Sequence, residues 1–261
     1  MSKKEIFLDI GNTSIDILEV ESNFINKYSK LYKEEKKEIL TYLDKLDYEQ
    51  VFISSVNKKS EIIITKYFRK KKKNFTLLTR ELMKEYVLKN KYNIQNIDIL
   101  GSDLLCDLVA CSEKENYIIF DLGTVSKVMA IDKNKKFLGG LIIPGMTSFS
   151  KSINHSTDLK LDEKIMDDLP LLNYETNKCV SSGSVNGLAI MLISIVEKIK
   201  EEYNLKDAKV VLTGGNSQFI LNALKKYHYE SFEFSPKLVL IGLGIIFDRK
   251  FVGGENETKK D

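Results

Sequence analysis

The sequence predicts an α/β protein made of two similar halves. A short acidic-glycine turn follows an apolar run twice: Asp9-Ile10-Gly11-Asn12-Thr13 after Ile6-Phe7-Leu8, and Asp121-Leu122-Gly123-Thr124 after Tyr117-Ile118-Ile119-Phe120. Each copy opens a strand–turn–strand–strand pattern, and helical periodicities follow. Both turns put a carboxylate where a buried strand ends, followed by a glycine that lets backbone N–H groups approach an anion closely. The repeat suggests two half-domains facing one nucleotide.

In the first half the pattern predicts strands over 5–8 and 14–20, with Ile15, Ile17 and Val20 apolar, and a third over 24–32. A helix over 33–46 follows, with Ile39, Leu40, Leu43 and Leu46 roughly on one face. Next come a strand over 50–56 ending in Ser54-Ser55, a helix over 61–72 and a strand over 74–78. Gly101-Ser102-Asp103 opens a helix over 104–112. The second half restarts at Asn116, with a strand, the acidic turn, a strand over 125–132, and a hairpin through 133–136 into Phe137-Leu138-Gly139-Gly140. Helices are expected over 148–154, 161–169 and 185–203. A strand over 209–212 ends in Thr213-Gly214-Gly215, followed by a helix over 216–226, a short strand near 231–234 and a helix over 236–248. The expected domains are 1–114 and 115–252, with 253–261 a polar, disordered tail.

Composition narrows the partners. Of 261 residues, 43% are hydrophobic and 30% charged, with 40 basic against 37 acidic residues for a net charge of +3. That balance makes no general case for nucleic-acid binding. The basic run 69–73 reads as a solvated helix end rather than a nucleic-acid patch, because its cations sit near the negative dipole terminus and few aromatics interleave. Cys106, Cys111 and Cys179 are too few and too scattered for a disulfide framework or a zinc site, which fits a reducing cytosol. Met1-Ser2-Lys3-Lys4 runs into a strand pattern without a signal-peptide core. No stretch approaches the ~20 apolar residues of a membrane span. The expectation is a cytoplasmic protein with neither a nucleic-acid nor a membrane partner.

Phosphoryl transfer needs a phosphate cradle, a hard cation, and a placed nucleophile with a proton acceptor. Asp9 is well located to hold Mg²⁺, and Gly11, Asn12 and Thr13 can offer donors to a phosphate tail. One copy alone reads better as a plain β-hairpin turn. Two copies, with Thr213-Gly214-Gly215 between a strand and a helix, favour nucleotide binding. Asp103, at a helix start, is either the base for an acceptor hydroxyl or, with Ser102, an ordinary N-cap. The stretch from Gly139-Gly140 to Pro144-Gly145 either lines a pocket or turns a sheet edge. His155 and His228 lack partners at ligand spacing, and no serine or cysteine nucleophile motif is present.

In this order the fragments resemble the type III pantothenate kinases of the actin-like sugar-kinase superfamily. The matching pieces are Asp9–Thr13, Ser54-Ser55-Val56, Gly101-Ser102-Asp103, Asp121–Thr124, Gly139-Gly140 with Pro144-Gly145, Thr176 with Gly183, Thr213-Gly214-Gly215 and Leu240-Ile241-Gly242-Leu243. The resemblance implies two ribonuclease-H-like (actin-like ATPase) domains with a central cleft, assembled as a homodimer. It implies transfer of the ATP γ-phosphate to pantothenate, the first step of coenzyme A synthesis. Carried over by position, the turn Asp9, Ile10, Gly11, Asn12, Thr13, Ser14, Ile15 and Asp16 would hold ATP phosphates, with Asp9 serving Mg²⁺ and Thr124 touching ATP. Asp103 would be the proton acceptor. Gly101, Ser102, Asp103, Leu104 and Thr176 would face pantothenate, and Asp121 would coordinate K⁺ or NH₄⁺.

The chain departs from the family pattern on the pantothenate side. Leu104 stands where the family has arginine, and Ile94-Gln95-Asn96-Ile97 replaces Tyr-x-Asn-Pro, with Tyr92 two residues away. Lys127 stands where the family tends to have threonine. Losing the arginine removes a bidentate donor that a carboxylate substrate would feel. Lys127 offers a replacement charge that the sequence alone does not place.

Overall fold

The computed structural model describes residues 3–33, 36–111, 114–158, 161 and 164–252. Among these residues the strands form two five-stranded sheets. The first is ordered β3(Phe24–Tyr32), β2(Ser14–Glu21), β1(Lys4–Ile10), β4(Gln50–Ser55), β5(Asn74–Leu77). The second runs β8(Phe137–Pro144), β7(Val125–Ile131), β6(Tyr117–Leu122), β9(Lys209–Thr213), β10(Glu233–Phe234). Both sheets share one plan. Three antiparallel strands lead, and two further strands run parallel to the first of them. The chain divides into two compact units, one of Met1–Cys111 with Lys237–Asp261 and one of Ser112–Pro236.

In the first unit, the two faces of β1 explain its continuous apolar sequence. Ile6, Leu8 and Ile10 join a core with Ile39 and Leu43 of α1(Lys36–Lys45) and Ile64 and Phe68 of α2(Lys58–Lys70). Phe7 points the other way, stacked on Phe52 at 5.0 Å and edge-on to Phe251. That second face is covered by α4(Ser102–Ala110) and α9(Leu238–Ile246). The expectation that the second domain runs to residue 252 is therefore corrected for α9. Its sequence LVLIGLGII needs cover on most sides, and α4, β1 and β4 provide it. Arg249 fastens this end to the sheet with Nε 2.8 and 3.0 Å from the buried Glu5 carboxylate. Burial pushes the Glu5 carboxyl up, but Arg249 and Lys3 outweigh it and hold it below its usual range.

The helix α3(Arg80–Lys89) had no counterpart in the sequence reading, because on this charged segment only Met83 and Val87, one turn apart, are buried. Its cap is Thr79, which accepts the Leu82 N–H. The basic run 69–73 is engaged locally: Lys71 lies 2.6 Å from Asp44, and Lys73 sits over the Tyr48 ring.

The second unit builds its core from Ile118, Phe120 and Leu122 of β6 with Leu188, Ala189, Leu192 and Val196 of α7(Leu188–Glu202) and Ile220 and Leu224 of α8(Ser217–Lys226). α6(Thr176–Ser182), a π-helical turn at Gly183–Gly187 and α7 form one helical run of 27 residues. That run corrects the expectation that no stretch approaches membrane-span length. Its most apolar window has mean hydropathy 1.8, and half of that window is buried inside the protein. After α5(Met146–Ser156), the expected helix over 161–169 is also absent: residues 161 and 164–169 are irregular, and 162–163 lie outside the described residues. Side chains capture this backbone instead. Ser182 Oγ donates to the carbonyls of Pro170 (3.0 Å) and Leu171 (2.8 Å), and Asn186 Nδ2 donates to Leu169 (3.0 Å). The expected tail over 253–261 also lies outside the described residues.

Candidate active site

In the first unit, parallel pairing sets Asp9 beside Ser54 and Ile10 beside Ser55, so β1 and β4 end level. Ligands of open α/β sheets bind at such carboxyl ends. The turn after Asp9 closes when the Gly11 N–H donates to the Ser14 carbonyl at 3.1 Å. A Cβ at Gly11 would stand 3.3 Å from that carbonyl oxygen, so glycine is favoured by tight contact rather than by a left-handed backbone. Asn12 and Thr13 lie exposed at the tip, and Asn57 Nδ2 donates to Asn12 Oδ1 at 3.3 Å. The stretch 9–16 does not present every side chain to a ligand. Ile10 and Ile15 are buried in the core, and Asp16 accepts hydrogen bonds from Tyr28 and Ser14.

The start of α4 is tied to the same edge. Ser102 Oγ accepts the Ser55 N–H and donates to the Ser55 carbonyl, both at 3.1 Å. Gly101 is the N-cap, which removes the cap reading of Ser102 and Asp103. Asp103 is 7% exposed, and its Oδ1 accepts the Leu104 N–H at 2.8 Å. A Cβ at Gly101 would fall 2.3 Å from that oxygen, so glycine leaves the carboxylate its place. One turn on, Asp107 is fully buried. After burial itself, the charges of Asp9, Asp107 and Asp103 drive the buried Cys106 thiol well above its usual pKa. These three carboxylates therefore all act on Cys106. Among the described residues no group of three or more His, Cys, Asp or Glu side chains could hold a metal alone. Magnesium asks for less, taking one or two carboxylates with waters and phosphate oxygens.

Lys33 stands beside the turn, its N–H donating to the Thr13 carbonyl at 3.0 Å. Its buried ammonium has no hydrogen-bond partner among the described residues. Burial lowers its pKa and the Asp9 charge opposes that shift. The sequence reading missed both Lys33 and Asp107. Asp107 had a signal, its i+4 spacing from Asp103 on one helix. Lys33 had none, because only the β2–β3 ladder carries it to the turn. Tyr92, next to the altered tyrosine position, is buried with its ring 6.0 Å from Tyr86. Arg80 donates to the Ile97 and Leu100 carbonyls and so steadies the chain entering Gly101.

The second unit repeats the plan. Asp121, next to last in β6, lies beside Thr213 of β9, and Gly214, at φ 88°, presses against the acidic turn. A Cβ there would lie 2.6 Å from Leu122 N and 2.7 Å from Asp121 Oδ1. The turn's carbonyls are each held. Asn216 N–H donates to Leu122 (2.8 Å), Asn216 Nδ2 to Gly123 (3.0 Å), and Gly145 N–H to Thr124 (3.1 Å). Ser148 Oγ also reaches the Thr124 carbonyl, at 2.5 Å. Gly145 thus touches the acidic turn, while Gly139 and Gly140 belong to the edge strand β8. Thr124 is exposed, and Thr176 is the exposed first residue of α6. Thr176 lies in the second unit and Gly101–Leu104 in the first. Gly214→Ala is expected to destabilise the protein by about 2–4 kcal/mol, the sum of a forbidden backbone and a backbone clash. Thermal unfolding checks the loss.

Two α/β units share one sheet plan, each with an acidic turn at the end of its leading strand, and together they make the actin-like fold. A model of the type III pantothenate kinase family matches residues 5–198, and the chain belongs to that family. It is 29% identical to a type III pantothenate kinase of Borrelia hermsii over 83% of this chain and 84% of that one. It is likewise 29% identical to that of Borrelia garinii, over 93% and 94% of the two chains. Among solved structures, it resembles a putative Baf family transcriptional activator from Campylobacter jejuni (21% identity, TM-score 0.58, 93% and 97% covered). It also resembles the activator of the 2-hydroxyisocaproyl-CoA dehydratase from Clostridium difficile, solved with bound ADPNP (12% identity, TM-score 0.50, 95% and 96% covered). At these identities the two structures establish the fold.

Proposed function

We propose that the chain transfers the γ-phosphoryl group of ATP to the primary hydroxyl of pantothenate, giving 4'-phosphopantothenate and ADP. The observation that carries this reading is the buried Asp103 carboxylate, held at the head of α4 by Gly101 and by the Ser102 links to β4, in a chain of this family. Asp103 takes the proton of the hydroxyl as its oxygen attacks the γ-phosphorus and the bond to the bridging oxygen breaks. Gly11, Asn12 and Thr13 hold the phosphates of ATP, and Thr124 with the Thr213–Gly215 turn contacts the nucleotide. Asp9 offers a hard oxygen to Mg²⁺, whose chemistry is to neutralise charge on the β- and γ-phosphate oxygens. The Lys33 ammonium adds a fixed positive charge near that turn. Positioning and electrostatics supply most of the rate. Leu104 and Thr176 face pantothenate in this reading, and the enzyme works as a homodimer.

Leu104 and Ile94 favour a second reading, in which the chain binds nucleotide or a partner as a regulator without kinase activity. One assay separates the two. Purified protein with ATP and Mg²⁺ is expected to form ADP in proportion to added pantothenate. ATP binding without turnover on pantothenate or on a panel of hydroxylated metabolites would favour the regulator, and turnover on another metabolite alone would reassign the substrate.

A further inference from the structure

The two acidic turns differ in what faces them. Across the β1–β2 ladder Asp9 is opposed by Asp16, whereas across the β6–β7 ladder Asp121 is opposed by Lys127. Directly opposed residues of an antiparallel pair project from the same face of the sheet, so register alone delivers Lys127 to Asp121. Their charges meet with Nζ 2.7 Å from Oδ2, the lysine side chain 21% exposed and the aspartate 13%. The first turn sets carboxylate against carboxylate, and the lysine paired there, Lys30, lies 3.5 Å from Asp16. The second holds its lysine on the turn aspartate itself.

The family resemblance puts a K⁺ or NH₄⁺ ion on Asp121, and the residues present do not fit that ion. A monovalent cation there would share a carboxylate already bonded to an ammonium, in a partly buried place where two like charges at contact distance repel strongly. We infer that Lys127 is the built-in monovalent cation of this site. Its tethered ammonium, chemically an NH₄⁺ carried on a side chain, supplies the charge beside Asp121, and the protein needs no added K⁺ or NH₄⁺. The inference rests on the kinase reading for its effect on rate but not for its effect on stability. A cation anchored by the fold is present at any salt composition, so the response to monovalent ions is where the difference shows.

The test compares wild type with Lys127→Ala in sodium, potassium and ammonium chloride at equal ionic strength. For wild type, the unfolding temperature is expected to be the same in all three salts. For Lys127→Ala it is expected to fall in sodium and to be partly restored by potassium or ammonium. In turnover, wild type is expected to vary by less than about twofold among the salts, while the variant drops by about tenfold or more in sodium and recovers in ammonium. Potassium activation of wild type, or a variant indifferent to every ion, overturns the inference. If the variant does not fold, the wild-type salt series decides, a flat response supporting the inference and potassium stabilisation or activation overturning it. A protein without turnover in any salt refutes the kinase reading and leaves the unfolding series to decide this one.

Discussion

Replacing Asp103 with asparagine is expected to lower kcat by at least about 100-fold, the usual scale for losing a positioned general base, while ATP still binds. Asparagine has the same shape. Its Oδ1 can still accept the Leu104 N–H, and Gly101 leaves the amide the room it leaves the carboxylate. The negative charge is removed and with it the ability to take a proton, while the shape and the Leu104 contact stay, so the main effect is expected in kcat rather than in nucleotide affinity. A variant with near-normal turnover would reduce Asp103 to an acceptor for one N–H in the first turn of α4. Unchanged thermal unfolding would confirm that the loss is chemical.

Gly242→Ala is expected to disrupt the packing of α9 on α4. A Cβ at Gly242 would lie 1.9 Å from the Cys106 carbonyl oxygen and 2.5 Å from its carbon. Those are backbone atoms of α4, so no side-chain rotation relieves the clash, and α4 and α9 have to part. The cost is expected to reach about 3 kcal/mol, the upper range for overpacking a filled core. Because α4 carries Asp103, turnover should fall with stability. Gly187→Ala serves as the control: a Cβ there meets nothing within 4 Å, and alanine suits a helical backbone better than glycine, so unfolding should shift by less than about 1 kcal/mol. Comparable losses at both positions would mean that close approach at Gly242 is not what holds α4.

The sheets were the most legible part of the fold. Strands such as β1, β4 and β6 are covered on both faces and spell out apolar runs, and the doubled Asp-x-Gly turn announced that one plan is used twice. Helices with little apolar surface were hidden. α3 buries only Met83 and Val87, and the segment 161–169 looked helical by pattern while Ser182 and Asn186 hold the carbonyls of Leu169, Pro170 and Leu171. The placement of α9 could not be read locally, since a helix apolar on nearly every side does not say which sheet it covers. At the candidate site, Asp9, Asp103 and Asp121 were visible because each lies near a strand end or opens a helix beside glycine. The contributions of Lys33 and Lys127 were not, for they depend on ladder register, a property of the paired strands and not of either segment alone.

The central claim is tested most directly by following the phosphoryl group itself. With γ-labelled ATP, Mg²⁺ and pantothenate, the label is expected to appear on the primary hydroxyl of pantothenate with wild-type protein and to stay on ATP with Asp103→Asn. Label that never leaves ATP with the wild type, or that reaches pantothenate equally well in the variant, would contradict it.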